Sequence, residues 1–246
     1  MKLGRFETNN VYCENSYLAI KDIPDNCIDL IVTDPPYLIE NTKAGGNSEL
    51  AKSIQGMNNE LANGVLTKSI NEDILNEFLR VMKVPNIYIW CNHKQIPMYI
   101  DFFVNKNNCS FDIIIWNKTN AMPLFNNKYL TDKEYCLYFR KGAYCNPSCY
   151  EDAKTVYYQP INVADKDKFC HPTIKPMNII ETLIKNSSKP NEIVADFFMG
   201  SGTTCVASKA CERQYLGFEI EEKWFKVAQD RLNNINATGQ ISMVLI

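Results

Sequence analysis

Residues 193–204 read I-V-A-D-F-F-M-G-S-G-T-T, and their order of chemical types decides the architecture. An apolar β-branched run, Ile193 to Ala195, ends in an acid. Two glycines follow at Gly200 and Gly202, and a helical pattern, Val206 to Ala210, begins soon after. That is a strand, a tight turn and a helix. Glycines at such a turn let the backbone approach a ligand and aim helix N-terminal N–H groups at an anionic group.

Working outward, other short apolar segments stand at Ile28 to Val32, Ile87 to Trp90, Phe111 to Trp116, Cys136 to Phe139 and Tyr215 to Phe218. They are near-continuous rather than alternating, as in strands buried on both faces. Helical patterns lie between several of them. Ser69 with Glu72 forms a capping box ahead of Ile74, Leu75, Phe78, Leu79 and Met82. Pro176 fits a first turn ahead of Met177, Ile180, Leu183 and Ile184, and a last helix starts near Glu221. Strands alternating with helices predict an α/β, doubly wound, mostly parallel sheet, with ligands at the carboxyl ends of its strands. Two stretches break the rhythm: 40–67, polar and glycine-rich, is a candidate lid, and 140–170 reads as an insertion or a short recognition segment.

The chain has 246 residues, 46% of them hydrophobic, enough for one catalytic domain spanning 1–246 with those two insertions. No apolar run approaches the ~18 to 20 residues that span a bilayer, and M-K-L-G-R-F-E-T-N-N lacks a hydrophobic leader, so a cytoplasmic protein is expected, with no membrane partner. The 10 cysteines are scattered and read as reduced thiols. Cys145, Cys149, Cys170 and His171 lack the paired spacing of a zinc site, so no metal is expected. A net charge of -2 requires any positive surface for nucleic acid to be local.

Three ligands compete for the glycine turn. A phosphate-cradling loop needs a lysine after its last glycine, which is absent here; a dinucleotide fingerprint needs a third glycine where Cys205 stands. The third is an adenosine without phosphates. Glu219 ends the next strand about 17 residues past Gly202, near the offset at which an acid takes ribose hydroxyls. S-adenosylmethionine offers both a ribose and an amino-acid carboxylate. The plainer alternative is a tight turn beside a solvated acid.

The same chain carries T-D-P-P-Y at Thr33 to Tyr37. With D-P-P-Y near the amino end and F-M-G-S-G-T-T near the carboxyl end, the sequence resembles the β-class DNA amino-methyltransferases, which methylate exocyclic nitrogens of adenine (N6) or cytosine (N4). The resemblance extends through N-I-Y-I-W, I-I-W-N-K, H-P-T-I-K-P and G-F-E-I. It implies a Rossmann-like, seven-stranded, mostly parallel sheet with an antiparallel strand in a reversed final hairpin, and S-adenosylmethionine as cofactor. It makes Asp196, Phe198, Gly200, Ser201, Gly202, Thr203, Glu219, Thr173, Lys175 and Asn15 cofactor-side residues, and Asp34, Pro35, Pro36 and Tyr37 the catalytic motif. Three departures stand out. Asp196-Phe197-Phe198 replaces D-P-F and should loosen the turn, Ile174 replaces a glutamine, and Asn15 falls where an acid is common.

The chemistry asks for what D-P-P-Y offers. An aromatic amino group is a poor nucleophile because its lone pair is delocalised. Asp34 can accept one N–H and the Pro35 carbonyl the other, and neither proline brings a competing donor. Proline confines Asp34 to extended backbone, and Tyr37 can stack on a base flipped out of the duplex. Near-attack positioning is then the main lever, and no covalent enzyme intermediate is needed.

Lys118, Lys128, Lys133, Arg140 and Lys141, interleaved with aromatics, are candidate DNA-binding residues; a solvated charged face is the alternative. The expected activity is adenine-N6 methylation of double-stranded DNA at a short site. Cytosine-N4 methylation, an RNA substrate and a catalytically silent nucleic-acid-binding subunit remain as alternatives. A homodimer and a cognate restriction endonuclease are the further partners the resemblance suggests.

Overall fold

The structure is a computed structural model that describes residues 1–37, 70–123, 127, 129–161 and 174–235. The candidate lid at 40–67, Ser69, Lys128, Thr173 and the end of the 140–170 segment lie outside the described residues.

In chain order the elements are β1 (Lys2–Leu3), β2 (Phe6–Glu7), β3 (Asn10–Cys13), α1 (Ser16–Ala19), β4 (Leu30–Thr33), α2 (Glu72–Val81), β5 (Asn86–Cys91) and α3 (Ile96–Ile100). A π-helical segment, Asp101–Lys106, continues α3. Then come β6 (Ser110–Lys118), β7 (Lys133–Arg140), β8 (Val156–Gln159), α4 (Met177–Ser187), β9 (Ile193–Asp196), α5 (Thr203–Ala210), β10 (Gln214–Glu219) and α6 (Glu222–Asn233). All six expected strands form. The capping box does not: α2 starts at Glu72, and Asn71 is its cap, with Oδ1 accepting from the Ile74 N–H at 3.3 Å.

Among the described residues the main sheet has eight strands rather than seven, in the order β3-β10-β9-β4-β5-β7-β6-β8. Among its described strands only β7 runs against its neighbours, pairing antiparallel with β5 and with β6, so the reversed hairpin lies mid-chain and not at the end, where it was expected. The extra strand comes from an edge. β8, inside the supposed insertion 140–170, pairs parallel with β6 from Ile115↔Val156 to Lys118↔Gln159. The same segment is tied to α4 by the Asn146 N–H on the Asn186 carbonyl at 2.7 Å and by Asn186 Nδ2 on the Asp152 carbonyl at 2.7 Å.

Alternate strand residues feed two cores. Ile31, Ile87, Ile89, Leu137 and Phe139 pack with Ile74, Leu75 and Phe78 of α2 on one face. Leu30, Val32, Tyr88, Trp90, Cys136 and Tyr138 pack with Ile179, Ile180, Leu183 and Ile184 of α4 on the other. Period-two alternation with helices on both sides makes three layers. Among the described residues no helix is long and apolar enough to cross a membrane.

Candidate active site

In this order β4 lies between β5 and β9, and the connections on its two sides depart in different directions, which opens a crevice at the strands' carboxyl ends. Thr33 closes β4 and Asp196 closes β9. Thr33 Oγ1 donates to Asp196 Oδ1 at 2.8 Å, so the two sequence motifs, 163 residues apart, meet through one buried hydrogen bond. Asp196 also accepts from the Phe198 N–H at 3.1 Å. Burial pushes its carboxyl up to about 7, with the bonds from Thr33 and Phe198 opposing that rise. The looser turn expected of Asp196-Phe197-Phe198 is not found. Phe197, where proline is usual, is fully buried, stacked on Phe218 with centroids 5.5 Å apart, and its carbonyl accepts from Ser16 Oγ.

The glycine turn follows at once. Gly200 and Gly202 have φ of 51° and 78°, the left-handed region that side chains disfavour. A Cβ on Gly202 would sit 2.7 Å from the Ala228 Cβ, so α6 closes on the turn only because that residue is glycine. Glu219 holds the turn from below: Oε2 accepts the Gly200 N–H at 2.9 Å and Oε1 the Glu221 N–H at 2.8 Å. Each carboxylate oxygen keeps a lone pair for a further donor such as a ribose hydroxyl. Burial pushes Glu219 up, and those two backbone bonds offset part of it.

Arg231 is the residue here that sequence reasoning missed. It is buried, and its Nη1 reaches the Ser201 carbonyl at 2.6 Å, Ser201 Oγ at 3.1 Å and Thr203 Oγ1 at 3.0 Å. Both hydroxyls accept from the guanidinium and keep their own protons to donate. Two left-handed glycines, a helix start, two polarised hydroxyls and a strand-end carboxylate suit the amino-acid and ribose parts of S-adenosylmethionine. Phe198 meets Tyr17 edge-on at 6.0 Å beside this turn. Asn15, expected on the cofactor side, caps α1, its Oδ1 accepting from the Tyr17 N–H at 2.9 Å, while Glu14 is held by Arg5.

Across the crevice, Asp34 follows Thr33. The Gln95 side chain, buried ahead of α3, donates to the Pro36 carbonyl at 3.2 Å and fixes the proline turn. Lys175, expected on the cofactor side, is found against Asp34. It is buried, and its ammonium donates to Asp34 Oδ2. It also pairs with Glu134 Oε2 at 3.2 Å, and Glu134 Oε1 pairs with Lys118 at 2.5 Å. Lys175 sits 5.5 Å from the Tyr37 ring centroid and 5.2 Å from that of Trp90. The other Asp34 oxygen, Oδ1, is buried without a hydrogen-bond partner among the described residues.

The charges explain one another. Burial pushes Asp34 up, and Lys175 opposes it. Burial would raise Glu134 too, but Lys175 and Lys118 hold it below the usual carboxylate range. Tyr37 is pushed well above the ordinary tyrosine value by burial and then by Asp34 and Glu134, so it stays neutral.

The expected DNA-binding cations are not gathered together. Lys118 is inside this ion-pair chain. Lys133 is exposed at the crevice end of β7, whereas Arg140 is seven residues further along the strand, about 23 Å away at 3.3 Å per residue. Lys141 beyond it donates to the Asn107 carbonyl at 3.2 Å.

The profile of the DNA methylase family matches residues 28–230, from before β4 into α6. Type II methyltransferase M.HinfI of Haemophilus influenzae is 28% identical over 242 residues, covering 88% of this chain and 66% of that protein. Type II methyltransferase M2.MboI of Moraxella bovis is 26% identical, covering 92% of this chain and 88% of that one. In three dimensions the chain is similar to M1.HpyAVI in its SAM complex, with a TM-score of 0.66, 27% identity, and 91% and 98% of the two chains covered. It also shares its fold with the cytosine-N4-specific PvuII DNA methyltransferase, at a TM-score of 0.69 and 15% identity over 94% and 89% of the chains. The chain therefore belongs to the DNA methylase family, as an S-adenosylmethionine-dependent β-class amino-methyltransferase of Rossmann-like fold.

Proposed function

We propose that the protein methylates the N6 amino group of adenine in double-stranded DNA, at a short specific sequence. The observation that carries this reading is Asp34 Oδ1, a buried acceptor without a partner among the described residues, on a strand end bonded through Thr33 to the glycine turn. An adenine amino group flipped from the duplex supplies the donor that this oxygen lacks. Asp34 and the Pro35 carbonyl draw its N–H groups apart and return electron density to the nitrogen. Tyr37 stacks on the base, worth about 1 to 3 kcal/mol. Bound S-adenosylmethionine supplies the electrophilic methyl group. Asp34 or water takes the proton of the acidic product ammonium.

The aspartate in D-P-P-Y favours adenine over cytosine, where a serine form would favour N4. The names of M.HinfI and M2.MboI, both type II methyltransferases, support a place in a restriction-modification system with a cognate endonuclease, and a homodimer is the oligomer we expect. Expression in a bacterial host free of DNA methylation, followed by genome-wide mapping of modified bases, tests the reading. N6-methyladenine at one short motif is the expected result. N4-methylcytosine would move the activity to the other base, and unmodified DNA with intact cofactor binding would indicate a silent subunit or an RNA substrate.

A further inference from the structure

The ion-pair chain at Asp34 is built from distant parts of the sequence. Lys118 comes from β6, Glu134 from β7, Lys175 from the turn before α4, and Asp34 from the end of β4. Signs alternate along it: cation, carboxylate, cation, carboxylate. Three members are largely out of water, with side-chain exposures of 15% for Lys118, 16% for Glu134 and 6% for Lys175. The fourth is Asp34 of the D-P-P-Y motif. A buried chain of this kind is costly to assemble, and in stability alone an apolar packing would serve as well. Its geometry at Asp34 is selective. Lys175 takes Oδ2 and leaves Oδ1 without a hydrogen-bond partner among the described residues, and the same ammonium faces the rings of Tyr37 and Trp90.

We propose that Lys175 is a positioning residue for methyl transfer: it clamps Asp34 through Oδ2, keeping Oδ1 turned to the incoming amino group, and is itself held in place by Glu134 and Lys118. The proposal rests on the reading of Asp34 as the acceptor for a base amino group, adenine or cytosine. Its chemistry follows from donor and acceptor counting. A protonated Asp34 would present an O–H where the base presents N–H, and two donors would face each other. The adjacent cation keeps the carboxylate an acceptor in a place where burial works against ionisation. Other groups act on Asp34 or feel its charge: Tyr37 within its own motif, Glu134 and Cys136 from β7, Cys91 from β5, Tyr99 from α3 and Asp196 from β9. Lys175 is the cation that offsets burial there.

The test compares the wild-type protein with Lys175→Met, Lys175→Arg and the charge-balanced pair Glu134→Gln/Lys175→Met, the last kept in case the single Met variant does not fold. Methyl groups incorporated into DNA are counted whatever the base, across pH, and S-adenosylmethionine binding is measured by calorimetry. We expect kcat at neutral pH to fall about ten- to a hundredfold in the Met variants. Activity should recover as the pH rises, because the acid limb of the profile moves upward, while cofactor affinity stays within about threefold. Arg should restore the wild-type limb, with kcat only partly recovered. An unmoved acid limb in the Met variants, or a loss confined to cofactor affinity, would overturn the proposal and return Lys175 to the cofactor side. Product identity in the wild type reports separately on which base is methylated.

Discussion

At the residue scale, the two oxygens of Asp34 have different tasks. Oδ2 is held by Lys175 and Oδ1 has no partner among the described residues, so removing the carboxylate deletes the proposed acceptor without touching the glycine turn, which is held by Glu219 and Arg231. Asp34→Ala is therefore expected to lower methyl transfer by at least about 10²- to 10³-fold, the scale of losing one preorganised electrostatic group. Calorimetric affinity for S-adenosylmethionine should change little. Transfer at the wild-type rate in that variant would end the acceptor role. The place of Asp34 at a strand end was legible in the sequence, because an apolar run ends there and two prolines follow. Glu134 was not, for a geometric reason. A search for site residues follows strands to their carboxyl ends, but β7 runs backwards, so its first residues reach the crevice: Tyr135 pairs with Cys91, the last residue of β5, and Glu134 lies one step beyond. The pairing of Lys118 with Glu134 was hidden because a sequence does not show that its partner comes from the antiparallel neighbour.

At the scale of elements, the strands with long apolar runs declared themselves, and the short edge strands did not. β3 and β8 have four residues each, N-V-Y-C and V-Y-Y-Q, with exposed and half-buried positions in place of a continuous core run. Their pairing with β10 and β6 is fixed by neighbours far away in sequence. The last helix was legible as amphipathic, but its function was hidden. α6 lies on the glycine turn through Ala228, against which Gly202 leaves room for no Cβ, and sends Arg231 beneath it. Nothing in the periodicity distinguishes Arg231 from an exposed cation. The structure predicts that Arg231→Met, which keeps much of the packing and loses the bonds to Ser201 and Thr203, weakens S-adenosylmethionine binding by about tenfold or more, since hydrogen bonds to charged groups contribute roughly 1.5 to 3 kcal/mol. Calorimetry checks this. Unchanged affinity with a lowered Tm would make α6 a purely structural brace.

At the scale of the whole molecule, folding draws four carboxylates to one end of the sheet: Asp34, Glu134, Asp196 and Glu219. Among the described residues, the buried cations Lys118 and Lys175 beside them are committed to Asp34 and Glu134, and Arg231 to Ser201 and Thr203. Asp196 has hydrogen-bond donors but no paired cation among the described residues, and burial raises it from 3.8 to about 7. A carboxyl whose native pKa lies above its unfolded value binds more protons in the folded state between the two. Stability then falls as the pH rises through that window, here from about pH 4 to about pH 7, and the penalty is complete above it. The shift of roughly three units corresponds to a cost on the order of 4 kcal/mol at neutral pH, an appreciable part of the roughly 5 to 15 kcal/mol that holds a domain together. Asp34 and Glu219, also raised, push in the same direction, and Glu134, lowered, pushes the other way. Denaturant unfolding at a series of pH values should show this decline in the wild type. Asp196→Asn, which stays neutral and keeps an oxygen to accept from Thr33 and Phe198, should flatten it and gain stability at pH 7. An equal slope in the two proteins would show that Asp196 is ionised at neutral pH, with the crevice carrying its full charge.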